Sequence, residues 1–219
     1  METKLVVCIR SPLQMEKRRE AIRKTWGKSF IEHGAEVFFI VSGKDEQSDF
    51  RLSEDVLFTP GTNSHRDLTN RMCWLWKFLI GRSSSLDPLT SQLILSFTHA
   101  LIIDDDCSVN VPLFMTLPWK ETDAWGHNSG GYLSGCAAVY SYNVIKELNY
   151  NMPKDDVVIG ALLTRLKIDL IHAGNPCPIK PWTPVDNKWS FGDPDIAIQH
   201  YVRSPEEIIK NHEKLNRMK

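Results

Sequence analysis

The chain has 219 residues, 42% of them hydrophobic, enough for one sizeable core and short for two, so a single domain over 1–219 is expected. Its 26 Lys and Arg against 27 Asp and Glu leave a formal net charge of −1, which argues against bulk attraction to nucleic acid or anionic membranes. The apolar run Leu5 to Ile9 near the N-terminus is too short for a signal peptide or a membrane span, and no other stretch reaches the roughly 18 apolar residues a span requires.

In chain order, residues 4–9 read as a first, buried strand, broken by Arg10-Ser11-Pro12. Residues 14–26 read as a helix with Ile22 and Trp26 on its apolar face, ended by Gly27. Residues 35–41 form a second β-rich run, 44–54 a polar loop or short helix, and 56–58 a short strand before the turn at 60–63. A strong helix is expected over 67–80, with Asp67 as cap and Met72, Leu75, Trp76 and Leu79 as its stripe. Residues 81–91 read as a loop, and 92–97 as either a helix end or a strand. Residues 101–103 are the central strand, 111–117 a short amphipathic piece and 119–131 a loop rich in Gly, Asn and Asp. A strand at 137–140, helices at 142–148 and 157–166, and a strand at 168–171 follow. Residues 174–195 read as a long irregular loop. Ser204-Pro205-Glu206-Glu207 carries the cap, first-turn proline and acidic first turn of a last helix. Strands alternating with helices give an α/β fold with a mostly parallel central sheet flanked by helices.

The stretch that most constrains function is Leu101-Ile102-Ile103-Asp104-Asp105-Asp106, a buried strand that runs into three adjacent carboxylates. Ligands of open α/β sheets sit beyond the carboxyl ends of strands. Three acids crowded there repel one another and call for a cation, and hard oxygen ligands on a loop suit Mg²⁺ or Mn²⁺ bridging a phosphorylated substrate. In an extended chain Asp104 and Asp106 point one way and Asp105 the other. The plain alternative is a turn of solvated acids capping a helix. A second acidic pair, Asp155-Asp156, opens a helix; capping explains one acid well, and a catalytic base taking a proton from a substrate hydroxyl explains the other. His200, in an apolar run near the C-terminus, is either a satisfied histidine or a ligand completing the Asp104–Asp106 site. Arg18, Arg19, Arg23 and Arg71 are candidates to neutralise a diphosphate, or solvated helix charges. No GxGxxG, GxxxxGK[ST] or GxSxG motif is present. The five cysteines form no CxxC pair and fit reduced, buried thiols.

Taken together, several stretches resemble the β-1,3-galactosyltransferase/N-acetylglucosaminyltransferase family, which includes the fringe-type transferases. Residues 19–26 (REAIRKTW) resemble its R-x-A-I-R-x-T-W helix, and 67–71 (DLTNR) its N-L-T-x-K segment, with Asp67 and Arg71 as departures. Residues 104–110 (DDDCSVN) resemble D-D-D-x-x-x-N, 134–141 (SGCAAVYS) are similar to S-G-x-G-Y-V-x-S, and 155–160 (DDVVIG) resemble E-D-V-x-x-G. The resemblance implies a GT-A type nucleotide-sugar-binding fold, a UDP-sugar donor, Mn²⁺ (or Mg²⁺) and transfer with inversion to a glycan or glycoconjugate acceptor, with a β-1,3 linkage. It implies Asp106, Asp104 and His200 at the metal, Asp104 or Asp105 with Arg10, Arg23 and Arg71 at the donor, and Asp156 beside Asp155 as the base. Trp182 and Trp189, in the 174–195 loop, are candidate acceptor-stacking residues or plain core tryptophans. The compartment stays open: cytosolic, or luminal if an anchor has been removed. Two rivals remain. Residues 104–109 also resemble the nucleophile motif of haloacid-dehalogenase-like phosphatases, with Asp104 attacking phosphorus. A catalytically inactive glycosyltransferase-like binding module is the other.

Overall fold

The computed structural model describes residues 4–42, 51–61, 68–84, 97–151, 156–173, 179–180, 196–202 and 204–217. Strand β1 (Leu5–Arg10) is followed by helices α1 (Glu16–Lys24) and α2 (Trp26–Glu32), then β2 (Glu36–Ser42), β3 (Arg51–Ser53), β4 (Val56–Thr59) and helix α3 (Leu68–Ser84). Next come β5 (His99–Asp104), β6 (Ser108–Val109), helix α4 (Val111–Thr116), a 3-10 turn at Pro118–Glu121, β7 (Ala124–Asn128) and β8 (Leu133–Ser141). Helices α5 (Tyr142–Asn151) and α6 (Asp156–Arg165), strands β9 (Leu170–His172), β10 (Ile179–Lys180) and β11 (Ile198–Gln199), and helix α7 (Pro205–Arg217) complete the order.

Eight strands form one sheet in the order β3-β4-β2-β1-β5-β8-β7-β9. Strands β4, β2, β1 and β5 are a parallel block, and β3 and β8 run against the rest. The sheet is therefore mixed, with its parallel block at the centre. Both faces of that block are covered, which is why β1 is apolar from Leu5 to Ile9 and does not alternate. On one face Val7, Ile9, Leu101 and Ile103 pack with Ile22, Trp26, Phe30 and Phe114 of α1, α2 and α4, and with Ile208 of α7. On the other, Val6, Cys8, Ala100 and Ile102 pack with Leu75, Trp76 and Leu79 of α3, Ile145 of α5 and Leu163 of α6. A second small sheet, β10-β11-β6, pairs β11 antiparallel to β6. No helix among the described residues is long and apolar enough to cross a membrane.

Several expectations need correction. The single helix over 14–26 is two helices, broken at Thr25 (φ −122°, ψ −116°), and Gly27 ends nothing: it lies in the first turn of α2. A Cβ there would meet the Ile22 carbonyl oxygen at 2.8 Å, so glycine is required by close approach of the two helices. Residues 119–131 are not all loop, since β7 runs through Gly126 and Asn128. Pairing with β8 and β9 on both sides outweighs the poor strand propensity of those residues. Residues 51–53 form an edge strand in a stretch read as loop or short helix. Where the expected loops are described they are not loop: residues 81–84 continue α3 and 179–180 form β10. Residues 85–91, the rest of 174–195 and the undecided segment 92–97 up to residue 96 lie outside the described residues.

Candidate active site

Arg10 ends β1 and Asp104 ends β5, and the two are register partners in the parallel block. That register sets their side chains next to each other: Arg10 Nη2 lies 2.8 Å from Asp104 Oδ1 and also donates to the Gly135 carbonyl of β8. The chain then turns. The Cys107 amide donates to the Asp104 carbonyl (3.3 Å), so the three acids occupy a tight turn and not the extended path the sequence implied. The turn still separates their side chains. Asp104 and Asp106 face the same space, while Asp105 is buried against α1.

Asp105 has both oxygens engaged. Ser11 Oγ donates to Oδ2 at 2.8 Å and Arg18 Nη1 to Oδ1 at 2.9 Å. Burial pushes the Asp105 carboxyl above its ordinary value, opposed by Arg18 and by the Ser11 hydrogen bond. The neighbouring Arg19 is buried and holds the loop that precedes it, donating to Ser11 Oγ (3.0 Å) and to the carbonyls of Pro12 (2.7 Å) and Leu13 (3.0 Å), with Glu16 as its ionic partner. Trp26 closes the back of the turn: its indole N–H donates to the Cys107 carbonyl at 3.1 Å. Arg19 and Ile22 of α1 and Trp26, the first residue of α2, are all buried, and Arg19 and Trp26 hold the loop and the turn that frame the acids.

His200 reaches the site from the far end of the chain. Strand β11 pairs with β6 directly after the acid turn, Gln199 opposite Ser108, and the Val202 amide donates to the Asp106 carbonyl at 2.8 Å. His200 Nε2 then lies 3.0 Å from Asp106 Oδ1 and 3.8 Å from Asp104 Oδ2. One ligand atom each from Asp104, Asp106 and His200 fall within 4.8 Å of one another, the one such cluster of three among the described residues. Asp106 Oδ1 is a buried atom to which no hydrogen bond of good geometry is made, although the imidazole is close by. Two carboxylate oxygens and an imidazole nitrogen converging on one space are held together by a proton or by a metal ion. The donor set fits Mn²⁺ or Mg²⁺, with the imidazole favouring Mn²⁺. Asp104 shows the same need: burial pushes its carboxyl up, Arg10 opposes this, and Asp106 adds to it.

The other candidates are placed as follows. Arg23 is not brought to the acid turn: it makes a bidentate pair with Asp55 (2.8 and 2.9 Å) ahead of β4 and stacks over Phe39. Arg71 is buried in the first turns of α3. The backbone of Asp156 opens α6, while its side chain and all of Asp155 lie outside the described residues, as do Trp182 and Trp189. Helix α6 is seated by Gly160, where a Cβ would press on the Gly131 carbonyl and lie 2.6 Å from Tyr132 Cβ in the β7–β8 turn. Asn110 caps α4, its Oδ1 accepting from the Leu113 amide at 3.3 Å. Cysteines 8, 73, 107 and 136 are in no disulfide. Burial pushes the Cys107 thiol well up and the Cys136 thiol to about 11. Sequence reasoning missed Ser11 as an anchor of Asp105 and Trp26 as a support of the turn. The available signal was an arginine, Arg19, on the apolar stripe of a helix.

No protein-family model matches the chain, and no curated protein matches it. Among solved structures, it is similar to a glycosyltransferase involved in the glycosylation of the major capsid of PBCV-1, with a TM-score of 0.48 and 12% identity over 97% of this chain and 99% of that one. It is also similar to a mutant Drosophila β-1,4-galactosyltransferase 7 in complex with manganese, UDP-Gal and xylobiose, with a TM-score of 0.43 and 11% identity, over 80% of this chain and 66% of the other. At this level of similarity no residue role passes from one chain to another.

Proposed function

We propose that the chain is a metal-dependent inverting glycosyltransferase of GT-A type. It moves a hexose, of galactose or N-acetylglucosamine type, from a UDP-sugar to a hydroxyl of a glycan or glycoconjugate, in β-1,3 linkage. The observation that carries this reading is the convergence of Asp104, Asp106 and His200 beyond the carboxyl ends of the parallel block, where α/β sheets bind nucleotides. A divalent ion held there would neutralise the charge that gathers on the diphosphate as it leaves. Arg10 lies beside Asp104 and adds positive charge to the same wall. Asp106 and His200 would hold the metal, and Asp104 would serve both metal and donor. Asp156, at the start of α6, serves as the base, with Asp155 beside it. The acceptor hydroxyl gives its proton to the Asp156 carboxylate, its oxygen bonds to the anomeric carbon from the face opposite the donor, and the bond from that carbon to UDP breaks with its electron pair going to the diphosphate. Trp182 and Trp189 are assigned to the acceptor wall, and Arg71 to the donor side.

Thermal unfolding with UDP, UDP-glucose, UDP-galactose and UDP-N-acetylglucosamine, each with and without Mn²⁺, tests the reading, because a ligand of the folded state raises the melting temperature by mass action. A shift that needs both nucleotide and metal is expected. Asp106→Ala should abolish it, and an undiminished shift in that variant would remove Asp106 from the metal. Asp156→Asn should keep the shift and lose at least a hundredfold in transfer, on the order of what general base catalysis supplies. Release of inorganic phosphate from a simple phosphoester without sugar transfer would replace this reading by the phosphatase.

A further inference from the structure

Tyr201 has a left-handed backbone, φ 64°, which residues with a Cβ avoid. The residue is 39% exposed and belongs to neither hydrophobic core, so core packing does not account for a tyrosine in this conformation. Its neighbours do. The residue before it, His200, turns its imidazole to Asp106, and the residue after it, Val202, donates its amide to the Asp106 carbonyl. The left-handed turn at 201 sets both of these groups on the acid turn. The Tyr201 ring also lies on the imidazole, centroids 4.0 Å apart and planes inclined by 30°. Sparsely populated backbone conformations of this kind persist where the surroundings over-determine them, and they gather at functional sites.

We propose that Tyr201 is a positioning residue for His200: its ring packs on one face of the imidazole and fixes the rotation that aims Nε2 into the space between Asp104 and Asp106. The proposal rests on the metal reading of that space and adds to it a residue that acts through His200. Groups that orient a ligating histidine are typically worth roughly ten- to a hundredfold in metal affinity. Asparagine tolerates the left-handed region, so Tyr201→Asn removes the ring while sparing the backbone, and Tyr201→Phe keeps the ring and removes only the hydroxyl.

The test measures Mn²⁺ affinity by calorimetry without nucleotide, for Tyr201→Asn and Tyr201→Phe in the native and in the His200→Ala background. It also follows the His200 ring protons by NMR in the metal-free protein. Tyr201→Asn should weaken Mn²⁺ binding about tenfold, and Tyr201→Phe should leave it unchanged. In the His200→Ala background Tyr201→Asn should have no further effect. The His200 ring protons, displaced by the stacked ring in the native protein and in Tyr201→Phe, should return towards ordinary values in Tyr201→Asn. Equal loss in both backgrounds, or an unmoved resonance, would overturn the proposal. A native protein that takes up no Mn²⁺ would overturn the metal reading, and the imidazole resonance would then decide the positioning of His200 by itself.

Discussion

Asp105 shows how much a carboxylate's role depends on what faces it. Of three identical side chains in a row, it is the one with both oxygens engaged, by Ser11 and Arg18. A metal needs lone pairs, and Asp105 has given up the best placed of its own. Its function is to tie the acid turn to α1, and truncating its cation should be costly because the remaining charge stays buried. We expect Arg18→Ala to lower the free energy of unfolding by about 3 kcal/mol, read from the urea midpoint. Asp105→Asn in the same background should recover part of that loss, since it removes the stranded charge. A loss below about 0.5 kcal/mol, the size of an ordinary surface change, would mean that Arg18 is a solvated helix charge. Both the sequence motif and the position were legible here; the partner was not, because residues 18 and 105 meet only after the sheet has formed.

At the scale of elements, glycines mark the close contacts that set the site. Gly160 brings α6 against Gly131 and Tyr132, and α6 carries Asp156 at its first position. A methyl group there must push backbone and not a flexible side-chain end, so Gly160→Ala should cost about 1–3 kcal/mol by overpacking. It should reduce transfer while leaving Mn²⁺-dependent UDP binding intact, since the Asp104, Asp106 and His200 cluster stands on β5, the turn after it and the segment that follows β11. Loss of nucleotide binding in this variant would show that α6 shapes the donor side as well. Helix α7 was legible from Ser204-Pro205-Glu206-Glu207, and Ser204 Oγ does accept from the Glu207 amide at 3.2 Å. Strand β7 was not, since its stability comes from neighbours on both sides and its own residues favour loops.

At the scale of the whole molecule, one group that responds to pH lies away from the site, at the opposite end of β5. Burial holds the His99 imidazole below its ordinary value of 6.5, while the Thr122 carbonyl and Asp123 pull the other way. The unfolded chain therefore binds this proton at a pH where the folded one does not. The stability this group contributes is complete above 6.5 and is lost as the pH falls through 6.5 towards the lowered value. Melting temperatures measured from neutral pH down through this range should decline, and His99→Gln should flatten that part of the curve. An identical decline in the variant would assign it to other groups.

Local chemistry in the chain itself determined the apolar strands β1 and β5, the acid run at the end of β5, the cap of α7 and the α/β alternation. These follow from burial, periodicity and capping, which act over a few residues. Tertiary structure alone decided which acids share a space, that Arg19 and Trp26 face inward to hold a loop and a carbonyl, and that β8 runs against its neighbours. It also decided that His200 stands over Asp106. That contact joins positions far apart in the chain through the pairing of β11 with β6, and no local preference of residues 104–106 or 196–202 encodes it.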